Sequence, residues 1–129
     1  MIQLTILAGI FASIFAYLCN KLVLKALGER AIVALVPFIE EMGKSGAAIL
    51  MQSNIFGTHL VFGVVEGVYD IVVSKAETGK LAALFSVFSH GIFGMITQVT
   101  YNRSGSFYVA VLVAWLFHSL WNWLVQKYL

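Results

Sequence analysis

Acidic, basic and imidazole side chains recur in this chain inside stretches that are otherwise apolar. They are Glu40-Glu41-x-x-Lys44, then Glu66, then His90, then His118 with Asn122 one turn later. A charged side chain at the centre of a bilayer costs several kcal/mol, so such residues turn toward the bundle interior and mark a site. Carboxylate, imidazole and amide together suit the activation of a water. A carboxylate in a low-dielectric cavity is a competent base near neutral pH, and a histidine can hold the same water. The water would attack a carbonyl, and a second imidazole with Asn122 could hydrogen-bond the developing oxyanion. That is peptide hydrolysis without a covalent intermediate. The same side chains could instead bind a divalent metal such as zinc through Glu66, His90 and His118, with a carboxylate as base. No H-E-x-x-H occurs, so the single-helix zinc signature is missing.

Each residue carries a blander reading beside the chemical one. Glu40 and Glu41 point about 100° apart on a helix, so one of them is expected to face the site directly. Pro37 just ahead of them predicts a kink, because proline lacks the backbone donor and clashes one turn back. Lys44 lies within reach of either carboxylate and could form a plain buried ion pair. That pair would leave one glutamate and the other helices unexplained. Gly63 and Gly67 flank Glu66 with the spacing that permits close helix approach. His90 is likewise followed by Gly91 and Gly94. Asp70 is expected to be solvated, and His59, nearer a helix end, to be packing or interfacial. Nucleophile schemes fare worse: Cys19 is expected at a helix end away from the polar residues, and Ser89 and Ser119 point away from their neighbouring histidines. Asp70 lacks the second mid-membrane aspartate of a dyad.

The elements that must position these residues are membrane helices. Hydrophobic residues make up 60% of the 129, charged residues 11%. Soluble domains carry about 25% charged residues. The length suits one domain of all-α class, 1–129. The net charge of +2 is too small to argue for nucleic acid. Five segments have the roughly 20 apolar residues a crossing requires, at approximately 2–19, 31–52, 55–73, 81–100 and 106–127. The first reads as a retained transmembrane helix, with its basic residues after it and no clear cleavage site. Ser53-Asn54 predicts a tight turn and an antiparallel hairpin.

Lys21, Lys25, Arg30, Lys75, Lys80 and Lys127 fall on one side and Arg103 on the other. The bias predicts the N-terminus out and the C-terminus in, with Trp121, Trp123 and Tyr128 at the cytoplasmic interface. Measured from that side at the helical rise, Glu40 and His90 lie about 15 Å deep, His118 about 13 Å and Glu66 about 12 Å. A shared depth is what one assembled site requires.

The ordered motifs also resemble a known family. Glu40-Glu41-Met42-Gly43-Lys44 looks like E-E-x-x-K, Phe62 to Glu66 like F-x-x-x-E, His90 to Gly94 like H-x-x-x-G, and His118 to Asn122 like H-x-x-x-N. On successive membrane helices, the set is similar to the PrsW-like branch of the CAAX-protease and bacteriocin-processing superfamily. The resemblance runs from about Pro37 to Asn122. It implies a glutamate-type intramembrane protease of a prokaryotic cell membrane, acting on a membrane-embedded or membrane-anchored protein or peptide. By analogy the glutamate pair activates the water, His90 assists, and His118 with Asn122 serves the oxyanion. Lys44 and Glu66 stand where the prenyl-protease branch has arginine and histidine, which favours PrsW-like over CAAX cleavage. With one helix ahead of the motif helices, further gating elements could come from a homo-oligomer.

Two other classes stay open: a non-enzymatic bacteriocin-immunity or interaction protein on the same fold, and a proton- or cation-relay bundle. A scaffold does not need mid-membrane acids. A relay should string its polar groups along the membrane normal, as His59 and Asp70 would begin to do.

Overall fold

The computed structural model describes residues 1–129. It is all-helical: α1 (Ile2–Leu27), a short 3-10 segment (Gly28–Ile32), α2 (Leu35–Leu50), α3 (Ile55–Val73), α4 (Ala76–Ser104) and α5 (Phe107–Tyr128). Four of these, α1, α3, α4 and α5, are long and apolar enough to cross a membrane. The chain therefore has the character of an integral membrane protein. The expected second span, 31–52, divides instead into the 3-10 segment, a break, and the 16-residue α2. At the helical rise α2 is about 24 Å long, short of the roughly 30 Å of a hydrocarbon core.

Helix ends follow local chemistry. Glycine takes the positive φ that ends α1 at Gly28 (φ 68°) and α4 at Gly105 (φ 65°). α2 closes with Gln52 in that conformation, as Gln52 N–H donates to Ile49 O and Ser53 N–H to Ala48 O. The chain then turns at once into α3, where the Asn54 side chain accepts from Gly57 N–H at 2.7 Å. The tight turn at Ser53-Asn54 is thus present, with its capping residue. Pro37 produces no kink. It occupies the first turn of α2, where its missing N–H would have had no intrahelical partner.

α2 is the unusual element, because its buried face is the charged one. Glu40, Glu41, Lys44 and Ser45 are buried, whereas Leu35, Phe38 and Leu50 are exposed. The other helices enclose it with small residues. α1 packs through Gly9 and through Ala8, Ala12 and Ala16, which are spaced one turn apart and form a cluster with Ala47 and Phe62.

α3 and α4 run antiparallel in close contact. A Cβ added at Gly63 would fall 2.9 Å from the His90 Cβ, and one at Gly94 would fall 2.6 Å from the His59 Cβ. Each helix thus offers a glycine notch to a histidine of the other. Gly67 meets Ala83 in the same register, so the close approach predicted from Gly63 and Gly67 is present.

α5 fastens the break ahead of α2. Trp115 Nε1 donates to Ala34 O at 2.7 Å and Asn122 Nδ2 to Ile32 O at 3.0 Å. Ala34 O also accepts the first backbone bond of α2, from Phe38 N–H, so Trp115 adds a second donor there, while Asn122 supplies a side-chain donor to Ile32 O at the break.

Candidate functional site

Glu41 stands at the centre of a buried network. Its side chain and that of Lys44 are both 0% exposed. Glu41 Oε1 accepts from Lys44 Nζ at 2.6 Å and faces His118 Nδ1 at 2.8 Å. Lys44 also reaches α4, with Nζ 2.9 Å from His90 Nδ1. The far side of the His90 ring meets Glu66, Nε2 to Oε2 at 2.6 Å, where Ser86 Oγ donates to the same oxygen, also at 2.6 Å. Lys44 is therefore more than the partner of one glutamate. It joins α2 to α4, and His90 carries the link to α3.

Glu40 has a different setting. Its Oε1 accepts from Asn20 Nδ2 on α1 at 2.9 Å, and its Oε2 lies 3.7 Å from His118 Nε2. Glu40 and Glu66 both line a cavity of about 600 Å³ between α1, α2 and α3, together with Tyr17, Lys21, Phe62 and Tyr69. Of the two adjacent glutamates, Glu40 meets open space and Glu41 holds the network behind it. The Glu66 side chain is 37% exposed, far more than its partner His90.

Hydrogen-bond roles fix the imidazoles. An ammonium can only donate, so His90 Nδ1 accepts from Lys44, leaving Nε2–H to donate to Glu66. A carboxylate can only accept, so His118 Nδ1–H donates to Glu41 and Nε2 presents a lone pair toward Glu40. Aromatic packing holds both rings. His118 stacks on Phe93 with centroids 4.5 Å apart, and His90 meets Phe62 edge-on at 4.9 Å. Lys44 lies over the Phe62 ring, 4.7 Å from its centroid.

The structure brings Glu40, Glu41, Lys44, Glu66, His90 and His118 together. It does not bring Asn122 with them. The Asn122 amide nitrogen is held by the Ile32 carbonyl, and the side chain makes no hydrogen bond to the network. Sharing a helix face with His118 was not enough, because the Ile32 carbonyl at the α1–α2 break lies alongside that part of α5. Asp70 is half-buried and makes no side-chain hydrogen bond.

Three further residues belong to the site: Asn20, expected in a break after the first helix, His59, expected to be packing or interfacial, and Ser45, which no sequence signal singles out. Asn20 falls inside α1, which runs on to Leu27, so neither Asn20 nor Cys19 is at a helix end. His59 is fully buried, with Nδ1 3.7 Å from Glu41 Oε2 and Nε2 3.3 Å from Ser45 Oγ. Ser45, the third, is buried on α2. The signal for His59 was its spacing, since His59, Gly63 and Glu66 lie four and three residues apart on one face.

The expected metal set also changes. Glu40, His90 and His118, rather than Glu66, His90 and His118, bring ligand atoms within 4.8 Å of one another. Glu66 is displaced because it approaches His90 alone, at Nε2. The arrangement suits a cation poorly. Zinc bonds to nitrogen and oxygen are about 2.0–2.2 Å long, requiring closer donors. Both His90 nitrogens already have partners, and one of those partners is an ammonium.

Fold and site together define an all-α protein, with four helices fit to cross a membrane, built around a buried carboxylate–imidazole–ammonium network. No family model, curated protein or solved structure matches the chain.

Proposed function

We propose that this protein is a glutamate-type intramembrane peptidase, resembling the PrsW-like branch, that hydrolyses a peptide bond of a membrane-embedded or membrane-anchored substrate. The observation that carries the reading is the pair Glu40 Oε2 and His118 Nε2, 3.7 Å apart at the edge of the cavity. Both atoms are acceptors, and the gap suits one water donating to each. That water attacks the carbonyl carbon while Glu40 or His118 takes its proton. The proton then passes to the leaving amine nitrogen as the C–N bond breaks. Glu41 holds His118 in the required tautomer, and Lys44 balances the charge of Glu41. This assigns His118 to water activation rather than to the oxyanion, and leaves Asn122 as a clasp on the α1–α2 break.

The same reading has five membrane-crossing elements, with the 3-10 segment and α2 completing the short one. The N-terminus is outside and the C-terminus inside, following the asymmetry of Lys and Arg. The cavity then lies in the cytoplasmic half, since Lys21 and Leu24 near the end of α1 line it.

The test compares protein termini in membranes of cells expressing the wild type or Glu40→Gln. Hydrolysis predicts new termini that require Glu40. Identical sets of termini would sink the reading.

A relay has one observation in its favour. Glu66, His90, Lys44, Glu41 and His118 form an unbroken series of contacts of 2.6–2.9 Å. Proton flux in liposomes that is lost in Glu66→Gln, with no cleavage in any variant, would select it instead.

A further inference from the structure

Two polar atoms face each other at the closed end of the network without a hydrogen bond. Glu41 Oε2 and His59 Nδ1 are both buried and both lack a partner within the protein. They lie 3.7 Å apart, beyond the range of a direct N–H···O bond. Leaving either atom unsatisfied in the interior forfeits the solvation it had in water. A single water about 2.8 Å from each atom would satisfy both. Two polar partners are the minimum for a buried water.

We propose that an ordered water bridges Glu41 Oε2 and His59 Nδ1, and that through it His59 positions the Glu41–His118 pair. The positioning role rests on the hydrolytic reading above; the water does not. Either tautomer of His59 serves. If Ser45 donates to Nε2, then Nδ1–H donates to the water, which donates to Glu41. If Nε2–H donates to Ser45, the water donates one proton to Nδ1 and the other to Glu41.

The consequence runs along α2. Glu41 Oε1 already serves both Lys44 and His118, so Oε2 alone is free to pivot. Fastening Oε2 through the water stops the carboxylate turning and fixes the direction of the His118 ring. The Cβ and Cγ of His59 sit in the notch at Gly94, so its ring is a rigid anchor for the water.

The wild-type protein in bilayers tests the water directly, by a structure that resolves ordered solvent. Density within hydrogen-bond distance of both atoms is expected. A direct Glu41–His59 hydrogen bond, or a dry gap, would overturn the proposal. The second arm is nitrogen NMR of histidine-labelled wild type, His59→Phe and His59→Gln. His118 Nδ1 should move by more than its linewidth in His59→Phe and return toward wild type in His59→Gln, which keeps a polar partner for the water. An unmoved His118 signal in folded His59→Phe overturns the positioning role. Where a cleaved substrate is in hand, kcat in His59→Phe should fall by up to about 100-fold with KM little changed. If the wild type cleaves nothing, hydrolysis fails, and solvent density and the NMR arm still decide the water and its hold on His118.

Discussion

Lys44 Nζ and His90 Nδ1 meet at 2.9 Å, and that contact makes His90 and His118 opposite tautomers. His90 must carry its proton on Nε2, toward Glu66, while His118 must carry its own on Nδ1, toward Glu41. Nitrogen NMR of histidine-labelled protein should show the His90 ring protonated on Nε2 and the His118 ring on Nδ1. Finding Nδ1–H on His90 would mean that Lys44 does not donate to it.

Removing Lys44 should cost stability. Lys44→Met keeps an unbranched apolar side chain but removes the ammonium that lies over Phe62 and leaves Glu41 buried without its cation. Breaking a buried pair from one side costs about 3–5 kcal/mol. Thermal unfolding in detergent should show a large fall in midpoint. An unchanged midpoint would mean that Glu41 finds another donor.

The adjacent glutamates should separate by phenotype. Glu40→Gln keeps an oxygen for Asn20, so the fold should persist while cleavage falls by about 10²- to 10⁴-fold. Glu41→Gln leaves Lys44 without its carboxylate and should lower stability as well as activity. Equal unfolding midpoints for the two variants would contradict this division of labour.

Glycine substitutions should divide just as sharply. Gly63→Ala meets the Ser86 carbonyl and the His90 Cβ, both at 2.9 Å, so α3 and α4 must part and thermal stability must drop. At Gly91 the nearest atom is the end of Leu60, 3.7 Å away, so Gly91→Ala should be tolerated. Matching losses at both positions would show that the helix contact is not what the glycines serve.

Chelation should leave cleavage unchanged, because Lys44 and Glu66 already occupy both nitrogens of His90. Metal analysis of the purified protein provides the check. Stoichiometric zinc, with activity lost on its removal, would overturn the metal-free mechanism.

What the sequence made legible follows from the physics of each signal. Apolar runs reveal helices, so α3 falls at its predicted bounds, 55–73. Polarity marks helix ends only where the residue is solvated. Asn20 is polar but bonded to Glu40, so α1 continues through it. Pro37 makes no kink because its effect depends on where the helix begins, and that is set by the break at Val33–Ala34. His59 was set aside on depth alone. The site extends about 10 Å along α3, from His59 to Glu66, at 1.5 Å per residue. Asn122 shared a face with His118 but was drawn to a backbone carbonyl that no residue pattern reveals.

The two notches between α3 and α4 couple things usually kept apart. His59 seats against Gly94 and His90 against Gly63, so the imidazoles double as the pegs that set the spacing of their helices. Altering either ring alters the gauge of the scaffold that holds the other. Drift at one notch is tolerable only with a compensating change across the seam, so substitutions here should travel in pairs.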